Sequence, residues 1–92
     1  MSEVRKIVAI TNSRGLHARA SAKFVTYVSK LPVALDVRVA KDGTEVTGTS
    51  IMGLMMLGAA KGDSIEIIVA GPQAESALEK LTGLVVDGFG ED

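Results

Sequence analysis

The sequence predicts a two-layer α+β domain, in which strands with one apolar face are covered by helices with one apolar stripe. Two patterns carry that prediction. Val33, Leu35, Val37 and Val39 alternate with Ala34, Asp36, Arg38 and Ala40, the period of a half-buried strand. Ala77, Leu78, Leu81, Leu84 and Val85 instead fall at i, i+1, i+4, i+7 and i+8, one face of a helix. Turn signals between such segments give the order β-α-β-β-α-β-α. A length of 92 residues, 47% of them hydrophobic, fits one domain spanning 1–92 with enough apolar area to offset chain ordering.

Each element has its own local reason. Residues 4–10 are rich in Val and Ile and read as a strand covered on much of both faces, because their alternation is imperfect. Thr11-Asn12-Ser13-Arg14-Gly15 is turn chemistry. Over residues 18–30, Phe24, Val25 and Val28 take helical spacing, and Leu31 continues it up to Pro32, which no helix interior accepts. The strand over residues 33–40 reaches Asp42-Gly43, a tight hairpin turn that needs positive φ at both positions. Residues 44–47 form the return strand. Ser50 stands at the N-cap of a short helix over 51–57, which Gly58 ends. Ile65, Ile67 and Val69 mark the last strand. Gly71-Pro72 opens the last helix with Pro at its first position, Gly88 closes it, and residues 89–92 are a short acidic tail.

Composition narrows the function. Ten basic and eleven acidic residues give a net charge of −1, which argues against a nucleic-acid or polyanion binder. The three aromatics, Phe24, Tyr27 and Phe89, make no base-stacking platform. With no cysteine, disulfides, thiolate zinc sites and thiol catalysis are all excluded. The opening residues hold too short an apolar run for a signal peptide, and residues 51–60 fall short of the ~20 needed to span a bilayer. The expectation is a cytoplasmic protein without membrane insertion. No surplus apolar face calls for a dimer, so a monomer is expected.

One histidine stands out. His17, in the run Gly15-Leu16-His17-Ala18-Arg19-Ala20, lies between a glycine turn and the predicted start of the first helix. Unpaired N–H groups and the positive dipole end make a helix start an anion site, and the same field opposes positive charge on an imidazole there. A ring with a free lone pair beside Arg19 suits acceptance of a phosphoryl group. An ordinary capping or surface histidine, with Arg19 a solvated charge, explains the same residues. A lone histidine without thiolates makes no metal site, and no nucleophile with an orienting acid accompanies it for a hydrolase. Gly43 to Ser50 mimics a nucleotide-binding P-loop, but Thr49 stands where the lysine belongs and the segment is a hairpin strand.

The run Gly15-Leu16-His17-Ala18-Arg19-Ala20-Ser21-Ala22-Lys23-Phe24-Val25 resembles the active-centre signature of the histidine-containing phosphocarrier family, HPr, of the phosphoenolpyruvate-dependent phosphotransferase system. Residues 50–62, Ser50-Ile51-Met52-Gly53 onward, resemble its regulatory-serine region, and the end of the chain, from Ala70 to Asp92, is similar to the nitrogen-branch paralogue NPr. The resemblance covers nearly the whole chain.

It implies an open-faced β-sandwich, a four-stranded antiparallel sheet with three helices on one face. It implies that His17 takes a phosphoryl group on its pros nitrogen from phospho-enzyme I and gives it to a histidine of an enzyme IIA domain, in sugar uptake or nitrogen regulation. Arg19, with the N–H groups of Ala18 and Arg19, would hold the phosphoryl oxygens. Ser50 would be the target of an HPr kinase, and Ile51, Met52 and Met55 would face outward as a docking patch for several partners, regulatory proteins among them. Such a protein is a stoichiometric carrier with no cofactor or metal of its own, not a turnover enzyme. The alternative from another class is a non-transferring regulatory module using the Met52/Met55 surface. One departure from the family is Ala20, where proline is usual; alanine keeps the helix but alters the stiffness of its first turn.

Overall fold

A computed structural model describes residues 3–91 of the chain. The elements are β1 (Glu3–Ala9), α1 (Ala18–Ser29), β2 (Asp36–Lys41), β3 (Thr44–Thr47), α2 (Ile51–Met56), β4 (Ser64–Ala70) and α3 (Ala74–Val86), followed by a 3₁₀ turn at Gly88–Gly90. The strands form one antiparallel sheet in the order β1-β4-β2-β3, and three helices cover one face of it, as expected. Among the described residues no helix is long and apolar enough to cross a membrane.

The core lies between the sheet and the helices. Val8, Val37, Val39, Ile65, Ile67 and Val69 point inward from the strands and pack against Phe24 and Val28 of α1, Leu54 of α2, and Leu78, Leu81 and Val85 of α3. Asp42 and Gly43 take φ of 50° and 84°, so the β2–β3 hairpin has the left-handed turn its sequence predicts.

Four expectations need correction. β1 is an edge strand rather than one covered on both faces: Val8 is its one buried residue and Ile7 is 67% exposed. Its imperfect alternation reflects an open outer face of Glu3, Arg5 and Ile7. The second strand begins at Asp36, not Val33. Pro32 starts a turn closed by the Leu35 N–H to the Pro32 carbonyl at 3.0 Å, which leaves Val33 fully exposed. Pro72 lies ahead of the last helix, whose N-cap is Gln73 in the left-handed region (φ 59°). The acidic tail is folded back: Phe89 is buried at 1% exposure, while Asp92 lies outside the described residues.

The open face also hides a residue. Ile68 points away from the core, yet it is fully buried. Its register neighbours are Arg5 on one side and Arg38 on the other. Glu3 pairs with both arginines, and Glu66 and Glu45 hold their other arms. The aliphatic stems, pinned by their carboxylates, roof over Ile68.

Candidate functional site

The loop that delivers His17 is fixed by backbone. Gly15 has φ +64°, and a side chain there would collide with the Ala59 carbonyl oxygen and come within 2.8 Å of Ala60 Cα. Only glycine meets both conditions. Leu16 N–H bonds that same Ala59 carbonyl at 2.9 Å, so the loop before α1 is stitched to the segment leaving α2. Ser21, fully buried in α1, returns its hydroxyl to the Leu16 carbonyl at 3.2 Å.

His17 then occupies the N-cap of α1, with extended backbone (φ −74°, ψ −180°). Its carbonyl accepts the Ser21 N–H at 2.9 Å, the first bond of the helix. The N–H groups of Ala18, Arg19 and Ala20 therefore have no backbone acceptor among the described residues, which leaves an anion cradle at the helix start. The His17 side chain makes no capping hydrogen bond, so it is not the capping histidine that the residues alone allowed. Ala20 is buried in the first turn, and the helix starts normally without proline.

The imidazole is held at Nε2, which lies 2.9 Å from Glu91 Oε2 and 3.1 Å from Oε1. Both side chains are largely covered, 20% exposed for His17 and 14% for Glu91. Asn12, fully buried, donates from Nδ2 to Glu91 Oε1 at 3.1 Å and to the Gly15 carbonyl at 2.8 Å. Both partners are acceptors, so the amide orientation follows from chemistry. Burial pushes the Glu91 carboxyl up, but the N–H groups of Asn12 and His17 and the nearby Arg19 charge hold it below the usual carboxylate range. Arg19 Nε is 3.7 Å from Glu91 Oε2 and its side chain is 66% exposed. Arg19, Glu91, Ser13, Arg14, Lys23 and Gly90 line a polar cleft.

What holds Glu91 there is the last turn. Phe89 adopts φ 58°, a left-handed conformation that a bulky side chain takes only under constraint. Its ring is buried in the core, and its carbonyl accepts from Lys23 Nζ at 2.7 Å.

The residues expected to dock partners and to take a regulatory phosphate also have definite places. Ser50 is the N-cap of α2, its Oγ accepting the Gly53 N–H at 2.9 Å. Leu54 and Leu57 are buried, whereas Ile51, Met52 and Met55 are exposed, the outward face that the family resemblance implies. Met56, which the sequence reading did not single out, is exposed too. α2 packs against α1, the helix that begins directly after His17. Asn12 and Glu91 were missed. Asn12 reads as turn chemistry, and the tail offers no periodic signal by which Glu91 could have been found.

The family model described as "PTS HPr component phosphorylation site" matches residues 4–87. The chain belongs to this family. It is 44% identical over 96% of its length to the phosphocarrier protein HPr of Neisseria meningitidis serogroup A, covering 97% of that protein. It is 38% identical over 97% of its length to the phosphocarrier protein NPr of Escherichia coli K12, covering 98% of it. The crystal structure of HPr-C-His from Thermoanaerobacter tengcongensis superposes with a TM-score of 0.86 at 38% identity, covering all of this chain and 99% of that one. Membership of the HPr family brings the phosphocarrier role of the phosphotransferase system, so the partners of this chain are components of that system. Glu91 lies outside the matched residues.

Proposed function

We propose that this HPr-family chain carries a phosphoryl group on His17, taken from phospho-enzyme I and passed to a histidine of an enzyme IIA domain. The observation that carries the reading is the pairing of a non-capping imidazole at the N-cap of α1 with the free N–H groups of Ala18 and Arg19 beside it. Arg19 swings from Glu91 to the phosphoryl oxygens when they arrive. Little covalent work falls to the protein: the site supplies position and positive potential.

Ile51, Met52 and Met55 form the docking patch, since methionine's flexible, polarisable side chain adapts to unrelated partner surfaces. Ser50 is the regulatory residue. A phosphate there sits well on the helix start but adds nearly two negative charges beside the docking patch, which discourages enzyme I. The setting is cytoplasmic, the working unit is one domain, and sugar uptake or the nitrogen branch is the destination. Nothing in the fold or the family relationship favours a non-transferring module.

The test is intact mass after incubation with phosphoenolpyruvate, magnesium and enzyme I. One acid-labile phosphoryl group, absent from His17→Ala, is expected. A phosphoryl group that His17→Ala accepts equally well overturns the assignment.

A further inference from the structure

We propose that Glu91 is a positioning residue for phosphoryl transfer, holding the Nε2 proton of His17 so that the Nδ1 lone pair is the one presented for attack. This rests on His17 being the phosphoryl acceptor.

Three observations converge on it. An ionised carboxylate only accepts hydrogen bonds, so the contact at 2.9 Å requires the proton on Nε2, and in the neutral ring this leaves the lone pair on Nδ1. The carboxylate is itself fixed, by Asn12 Nδ2 at Oε1 and by the Phe89 anchor that precedes it in the chain. Asn12 in turn is held by the Gly15 carbonyl, so one buried amide ties the turn before His17 to the carboxylate behind its ring. Finally, Nδ1 is spent on no helix-capping bond. A carboxylate that orients an imidazole through one nitrogen, leaving the other to react, is the division of labour seen in hydrolase triads.

The electron count closes without another reagent. The Nδ1 lone pair forms the new N–P bond, while the N–P bond of the donor, an N-phosphorylated imidazole, breaks and returns its pair to the donor ring. The Nε2 proton stays in place. The acceptor ring therefore gains positive charge as the donor ring loses it, and Glu91 lies against the atom where that charge is shared. Onward transfer runs the same steps in reverse, so one carboxylate serves both loading and unloading.

The experiment pairs proton–nitrogen spectra of the His17 ring with loading rates from phospho-enzyme I, for wild type, Glu91→Gln and Glu91→Ala. Wild type is expected to show a protected Nε2–H signal. Glu91→Gln keeps that signal, because its side-chain oxygen still accepts, but loads more slowly for want of the charge. Glu91→Ala loses the signal and loads about tenfold more slowly. The phosphoryl group is expected on Nδ1 in all three. An Nε2–H signal and a loading rate unchanged in Glu91→Ala, or a phosphoryl group on Nε2 of the wild type, overturn the role of Glu91 while leaving His17 the acceptor. Loading of His17→Ala strikes the acceptor assignment itself, so the two failures are distinguishable.

Discussion

His17 Nε2 and Glu91 Oε2 lie 2.9 Å apart although 74 positions separate the two residues in the chain. The contact exists because Phe89, two residues before Glu91, is inserted in the core and turns the chain back over the first turn of α1. The site is thus assembled from both ends of the fold: a glycine loop delivers the ring and the final turn holds it.

Acid should weaken the fold through its bonded carboxylates. Arg5 and Arg38 hold the Glu3 carboxyl below its ordinary value of 4.5, and the Asn12, His17 and Arg19 contacts do the same for Glu91. The unfolded chain then binds more protons than the folded one on the acid side of 4.5, so their contribution is complete above that value and is lost as pH falls through the folded pKa values. The urea midpoint should drop on acidification below 4.5 and drop less in Glu3→Gln/Glu91→Gln. A doubly substituted chain with the same acid profile as wild type would remove these two groups from the explanation.

Ser50→Ala removes the oxygen that accepts the Gly53 N–H. The expected cost is about 1 kcal/mol, a fall in Tm of about 4–8 °C for a domain of this size. Ser50→Asp should recover most of it, since aspartate caps as well. A melting curve unchanged in the alanine variant contradicts the cap.

Arg19→Ala should slow loading from phospho-enzyme I by about tenfold, from loss of one charge-assisted contact in the transferring state. Because the side chain is 66% exposed, Tm should not move. Equal rates in the variant and wild type mean that Arg19 does not touch the phosphoryl group.

Met52→Asp places a charge on the exposed face of α2, where Met52 is 72% exposed. Affinity for enzyme I should fall by about tenfold or more while the melting transition persists. Loss of the transition would place Met52 in the core instead.

Much of this fold was legible because most of its elements obey one period each. The alternation at Val37 and Val39, the Asp42-Gly43 turn, the Ser50 cap and the helical stripe ending at Val85 all appear as read. The failures have separate causes. Val33 and Leu35 continue the alternation of β2 by parity alone, and the Pro32 turn overrides it. β1 looked doubly covered because sequence does not reveal that a strand will sit at an edge with one face in water. Ile68 is buried on the open face by arginines of two neighbouring strands, which local sequence cannot bring together. At the site, His17 and Arg19 were visible from the glycine loop and helix start, whereas Asn12 and Glu91 matter through contacts that only the closed chain makes.

The most direct test follows the phosphoryl group onward. Protein loaded with labelled phosphate, freed of enzyme I and phosphoenolpyruvate, is mixed with a stoichiometric enzyme IIA domain. A phosphocarrier acting through His17 should pass its label to IIA within the mixing experiment, with little released as inorganic phosphate and none moved by His17→Ala. Label that stays on the chain, or appears only in water while the same IIA accepts phosphate from another HPr, would contradict transfer through this site.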